Sequence, residues 1–231
     1  MSGISTPGGA SLSPLDVSGL SVGYGTKRVI EQLDLALAPA EIVHLTGPNG
    51  CGKSTLLRTI AGRQPALAGE IVVSGHHLDV DEVAAKRSLG YASDEGLALP
   101  YLTPREHLRL IARIHGLPGS RGDDELVMLA ATALGRHADV TIRTCSRGTA
   151  RQVDLCAALL HRPRLLLLDE AFDGIDTATA PLWIDRIQAL VDAGSSVLFT
   201  SHSEQFAAQL GADRRFDLAP NPPTASGRVR V

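Results

Sequence analysis

The 231-residue chain is short of several things, and each shortage removes a class of protein. It holds three cysteines, Cys51, Cys145 and Cys156, in no metal-ligand spacing. That speaks against a zinc module or a disulfide scaffold and points to a reducing cytosol, with Cys156 expected as a small packing residue. It lacks a strong charge of either sign: 22 basic against 25 acidic side chains leave a net charge of −3. No nucleic-acid partner is therefore expected. No apolar stretch approaches the roughly 20 residues needed to span a bilayer. The N-terminus lacks the basic-then-apolar pattern of a secretory leader, and no internal repeat is visible. What remains is length enough for one large domain or two close lobes.

The stretch that organises the chain is Gly47-Pro48-Asn49-Gly50-Cys51-Gly52-Lys53-Ser54-Thr55, a match to the phosphate-loop pattern G-x-x-x-x-G-K-[ST]. The apolar run Ile42–Leu45 precedes it and Leu56–Ala61 follows, the strand–loop–helix context the pattern requires. Glycines let the backbone wrap a phosphate with N–H groups facing inward, and the helix N-terminus adds positive potential. This predicts a nucleoside triphosphate site, with Lys53 reaching the β- and γ-phosphates and the Ser54 hydroxyl on Mg²⁺. Cys51 lies within the loop, so thiol modification there is expected to block nucleotide binding.

Taken in order, residues 1–13 are rich in Ser, Gly and Pro and read as a disordered arm. A strand is expected over Leu15–Val22, a pair of short strands from Val29 to Leu37, and a buried strand at Ile42–Leu45. The helix after the loop stops at Gly62. Pro65 and Gly69–Gly75 give a turn, a strand and a turn; Asp81–Ser88 reads as helix and Leu89–Ala92 as strand. Thr103-Pro104-Arg105-Glu106 combines a capping threonine, a proline at the first helical position and a capping-box glutamate. Ser120–Asp124 is expected as a polar loop, Glu125–Leu134 as a helix and Ser146–His161 as another. Leu165-Leu166-Leu167-Leu168-Asp169-Glu170 is an apolar strand ending in two carboxylates. Behind a phosphate loop, Asp169 suits Mg²⁺ held through its water shell, and Glu170 suits a base that polarises the attacking water. A last buried strand, Ser196–Thr200, delivers Ser201-His202. Phe216–Leu218 with Val229–Val231 is a candidate closing hairpin.

The order of Tyr24, phosphate loop, helix, Pro65-x-x-x-Gly69-x-Ile71 and the Asp169-Glu170 strand end resembles the ATP-binding cassette (ABC) ATPase family, over about residues 15–218. The resemblance implies an α/β P-loop NTPase fold of the ABC ATPase type, with a RecA-like core, an antiparallel β subdomain and a helical subdomain. It implies a single cassette over 14–220, its helical subdomain about 91–162, and a tail or closing strand at 221–231. His202 is similar to the family's switch histidine, which contacts the γ-phosphate, and Asp176 matches the aspartate of the family's D-loop. Tyr24 stands where an aromatic residue stacks on adenine, although a tyrosine can equally cap a sheet edge. ATP and Mg²⁺ follow as cofactors. The implied partners are a separate transmembrane permease subunit and a second cassette, as homodimer or heterodimer, at the cytoplasmic face of the cell membrane. An exporter is the expected transporter type; a soluble or regulatory ABC-type ATPase with weak hydrolysis is the alternative.

Two places depart from the family pattern. Asp94 replaces the glutamine of the Q-loop; it can still offer oxygen to Mg²⁺, but its side chain is shorter by about 1.5 Å and adds negative charge. The signature L-S-G-G-Q falls on Cys145-Ser146-Arg147-Gly148-Thr149. Ser146 and Gly148 match it and are implied to cap the γ-phosphate bound by an opposite subunit. Arg147 replaces a glycine and Thr149 the glutamine. Arg147 either obstructs the close backbone approach or supplies a cation to the phosphate in trans. A partner cassette with an intact signature, or a slow homodimer, is the consequence.

Overall fold

A computed structural model describes residues 12–93 and 95–219. Residues 1–11 of the arm expected over 1–13, Asp94, and residues 220–231, which hold the expected tail over 221–231 and Val229–Val231 of the expected hairpin, lie outside the described residues.

Two sheets share the molecule. A five-stranded parallel sheet has the order β6-β7-β8-β3-β9, made of β3 (Ile42–Thr46), β6 (Leu89–Ser93), β7 (Leu165–Asp169), β8 (Ser196–Thr200) and β9 (Arg214–Asp217). Every residue of β7 and β8 is buried, as expected of parallel strands covered on both faces. Alternation then divides the core. Leu166 and Leu168 face one apolar cluster with Phe199 and Trp183, while Leu165 and Leu167 face a second with Val43, Leu45 and Leu56. The second cluster also takes the inner face of an antiparallel sheet, order β2-β1-β4-β5, from β1 (Leu15–Tyr24), β2 (Lys27–Leu37), β4 (Ala68–Val73) and β5 (His76–His77).

The helices are α1 (Lys53–Ile60), α2 (Glu82–Arg87), α3 (Pro104–Ile114), α4 (Ser120–Met128), α5 (Ala133–Arg136), α6 (Arg147–Leu159), α7 (Ala180–Asp192) and α8 (Glu204–Leu210). Thr103 and Glu106 form the expected capping box of α3. Between β6 and β7 the chain is helical apart from loops, and α6 returns it to the sheet. There α6 lies directly on β6, because Gly90 carries no side chain: a Cβ would sit 2.3 Å from the Ala158 carbonyl oxygen.

Two local expectations need correction. The pair of short strands is one strand, β2, in which Gln32 adopts φ +51°, and its pairing with β1 shifts register along the way. Local irregularity is absorbed by a bulge and does not end the strand. The polar stretch Ser120–Asp124 is the start of α4, and the helix ends at Met128. Asp123 is gripped by Arg105 at 2.9 Å and Arg109 at 2.8 Å, and Gly122 lies against the α3 backbone, its Cβ position 2.9 Å from Arg109 N. Tertiary contacts thus override a local loop preference. Phe216–Asp217 belong to β9, which pairs parallel with β3 and so lies beside the phosphate-loop strand; the other half of the expected hairpin lies outside the described residues.

Candidate functional site

The carboxyl ends of β3, β7 and β8 open on one edge of the parallel sheet, where ligands of open α/β sheets bind. The loop after β3 runs from Gly47 to Gly52. Gly47 has φ +144°, and a Cβ there would meet Leu218 O at 2.7 Å and Cys51 Sγ at 2.9 Å. The first turn of the loop is thus pressed against the end of β9, with the Cys51 side chain buried beneath it. Cys51 N–H donates to Pro48 O at 3.2 Å, closing the turn across Asn49 and Gly50. At Gly50, φ +79°, a Cβ would meet nothing within 4 Å: this glycine faces open space. Gly52, φ +106°, precedes α1 without a side-chain cap, so the first-turn N–H groups of α1, from Lys53 on, are left for a ligand.

Lys53 Nζ donates to Gly47 O at 2.8 Å and to Pro48 O at 3.2 Å, which holds the ammonium over the loop. Ser54 Oγ donates to Asp169 Oδ1 at 3.0 Å. Helix α1 and strand β7 therefore bring together, across 115 residues of sequence, a hydroxyl and a carboxylate, the oxygen set Mg²⁺ takes. Asp169 is buried, and Thr200 Oγ1 at the end of β8 donates to the same oxygen at 2.9 Å. Thr200 also accepts from Glu170 N at 3.0 Å. It fixes both carboxylate residues, and only its place as a polar residue ending an apolar strand hints at this role in the sequence.

Glu170 follows with φ +50°, a conformation rare for a side-chain-bearing residue. Its Oε2 accepts from His202 N at 3.0 Å, and His202 Nε2 lies 3.4 Å from Oε1. Burial raises the Glu170 pKa above the ordinary carboxylate value, and His202 opposes the rise. A carboxylate shifted that way holds a proton more readily than a solvated one, as a base acting near neutrality should. Lys53, Ser54, Asp169, Glu170 and His202 thus converge.

Tyr24, at the end of β1, is 54% exposed and its hydroxyl meets Thr55 Oγ1 at 3.2 Å, so one edge is tied to α1 and the ring remains available for stacking. Arg58, three residues further along α1, pairs with Glu95 at 2.5 Å, tying α1 to the segment after β6. Sequence reasoning did not single out this pair, nor the two residues of α6 that grip the same segment: Arg151 donates to Ser93 O at 2.7 Å, and Asp154 accepts from Leu97 N at 2.9 Å.

Ser146 and Gly148 stand apart from this cluster. Ser146 caps α6 by accepting from Thr149 N at 3.1 Å, and Thr149 Oγ1 lies 2.9 Å from Ser146 Oγ. The Thr149 hydroxyl thus completes the cap from within. Arg147 is exposed, and Gly148 lies against Gly174, whose carbonyl oxygen would be 2.5 Å from a Cβ.

The family model described as ABC transporter matches residues 30–173. This chain belongs to the ABC transporter family. It is 32% identical over 189 residues to the linearmycin resistance ATP-binding protein LnrL of Bacillus subtilis (strain 168), covering 81% of this chain and 61% of that protein. It is 33% identical over 211 residues to the aliphatic sulfonates import ATP-binding protein SsuB 1 of Xanthomonas axonopodis pv. citri, covering 90% of this chain and 82% of the other. A solved structure of the ATP-binding subunit of an ABC transporter superposes with a TM-score of 0.82 at 27% identity, covering 90% of this chain and 88% of that one. The chain spans 61% of the length of two of the curated Bacillus relatives it matches. The α/β architecture, one parallel and one antiparallel sheet with intervening helices, is that of the ABC ATPase cassette. Among the described residues, no helix is long and apolar enough to cross a membrane.

Proposed function

We propose that the chain is the ATP-binding and ATP-hydrolysing subunit of an ABC transporter, energising a separate membrane-spanning subunit at the cytoplasmic face of the membrane. The observation that carries this is the 3.0 Å contact of Ser54 with Asp169, with Glu170 and His202 in contact beside it. Fit favours the nucleotide: Gly50 leaves the face of the loop open, Gly47 and Gly52 let its ends pack closely on Leu218 and Val29, and Lys53 stands over it. Ser54 and Asp169 would hold Mg²⁺, and Asn49 to Thr55 would take the phosphates on loop N–H groups and hydroxyls. Bound there, Mg²⁺ supplies charge neutralisation to the phosphate oxygens. Glu170 accepts a proton from the attacking water, and His202 orients Glu170 and reaches toward the γ-phosphate. Tyr24 stacks on the base.

Ser146, exposed, and Gly148, half-buried against Gly174, make no contact with the chain's own cluster and act on nucleotide held by a second cassette. Arg147 alters that contribution, so the productive arrangement is either a heterodimer with an intact signature or a slow homodimer. The helices between β6 and β7 form the lobe that meets the membrane partner, within about residues 91–162 of a cassette over 14–220. Export is the proposed direction, supported by 31% identity over 207 residues to the Nod factor export ATP-binding protein I of Mesorhizobium japonicum; the sulfonate import relative makes the direction of flux in sealed vesicles the deciding measurement.

Glu170→Gln should lower ATP turnover by about 10²–10⁴-fold while nucleotide binding persists, and should trap an ATP-bound dimer on gel filtration. Ordinary turnover in that variant removes Glu170 as the base. Arg147→Gly should raise the turnover of the purified chain alone. No change, with the wild-type chain already turning over fast, rules out the impaired-signature reading.

A further inference from the structure

Away from the nucleotide site, a cavity of about 330 Å³ opens between α4, the end of α6 and α7, within the size range of small-molecule sites. Three arginines line it, Arg121, Arg162 and Arg186, against one carboxylate, Glu125. That carboxylate is already committed. Glu125 is 1% exposed; its Oε1 meets Arg121 Nη2 at 3.0 Å and its Oε2 meets Arg186. The described lining therefore carries two positive charges in excess.

Arg162 is the more telling residue. It is exposed and directly precedes Pro163, yet it holds φ +52°. Side-chain-bearing residues avoid that region, and the residue before a proline is normally driven to extended backbone. Its N–H bonds to Leu159 O at 3.0 Å, so the end of α6 turns Arg162 toward the cavity lining. Glycine would meet the backbone demand without strain; arginine puts a fixed charge there. The walls between the charges are apolar, with Met128 and Leu159 among them.

We propose that this cavity binds a small organic anion, its phosphate or carboxylate head met by Arg121 and Arg162 and its apolar body lying along Met128 and Leu159. Arg186, held by Glu125, supplies the fixed positive wall. The site joins α4 to α7, so an occupant reinforces the contact that Glu125 makes across the same two helices. This binding is independent of the nucleotide reading, since none of these residues belongs to the phosphate-loop cluster.

The probe is octyl phosphate below its micelle concentration, titrated calorimetrically into the full chain with ADP and Mg²⁺ saturating the phosphate loop. Saturable one-to-one binding is expected, tighter than that of inorganic phosphate, and weakened about 10-fold or more in Arg121→Ala and in Arg162→Gly. Arg162→Gly removes the charge and relieves the backbone, so its melting temperature should not fall; loss of binding in that variant reports the charge and not misfolding. Absence of saturable binding, unchanged affinity in Arg162→Gly, or equal binding of octyltrimethylammonium overturns the proposal. Equal affinity for inorganic phosphate overturns the role of the apolar wall.

Discussion

Gly148→Ala sets two physical effects against each other at the start of α6. Helix propensity alone favours alanine over glycine by about 1 kcal/mol, so an isolated helix would gain stability. In the fold, the new Cβ would sit 2.5 Å from the carbonyl oxygen of Gly174, short of the 3.4 Å at which ordinary contact begins. The obstructing atom is backbone, in a residue itself held at φ +80°, and no side chain can swing aside. Overpacking of this kind costs about 1–3 kcal/mol, so the clash wins and a net loss of about 1 kcal/mol is expected. For a chain of this size that is a fall of about 2–4 °C in melting temperature, readable by circular dichroism or calorimetry. The strain is relieved by moving the segment containing Gly174 and Asp176, so turnover should fall further than stability does. A variant that melts higher than the wild type by the helix-propensity increment would refute the close approach of α6 to this segment.

Two further perturbations test the joints of the helical region. Asp154 is pushed up to about 6 from an ordinary 3.8, chiefly by burial, with the Leu97 and Ala98 N–H groups opposing. The folded chain therefore binds this proton more tightly than the unfolded one. The associated stability is fully present below about pH 3.8 and lost as pH rises through 6, on the order of 3 kcal/mol. Asp154→Asn should flatten that decline in urea titrations between pH 4 and 7, and an unchanged pH slope would show that Asp154 titrates normally. Glu125→Gln should cost about 3 kcal/mol, because Arg121 and Arg186 then lose the charge that compensates them in a partly buried setting. The urea midpoint should drop with an unchanged slope; a loss below about 1 kcal/mol would mean that the ion pair is screened.

Much of this protein was legible before folding because its functional elements are local. Gly47–Thr55 specifies its own loop through glycines at left-handed positions and a helix start that needs no distant help. The Leu165–Asp169 and Ser196–Thr200 runs announce buried parallel strands by apolar continuity, and Thr103–Glu106 carries a complete capping box within four residues. Each depends on backbone preference or short-range hydrogen bonding, which sequence order encodes directly.

What escaped depends on residues far apart in the chain. Ser120–Asp124 reads as a loop by composition, and becomes α4 only because Arg105 and Arg109 pin Asp123 and because Gly122 lets α3 come close. Phe216–Asp217 also pairs with β3, some 170 residues earlier, a neighbour that no local pattern announces. Thr200 looks like the last residue of an apolar strand until the sheet order places it beside Asp169 and Glu170. The charge excess around Arg162 exists only once α4, α6 and α7 enclose a common space. By itself the sequence determined which groups could do phosphate chemistry and the strands and helices that present them. Tertiary structure decided which of those groups meet, because pairing order, burial and the close approach of backbones through glycine are properties of the assembled layers and of no single segment.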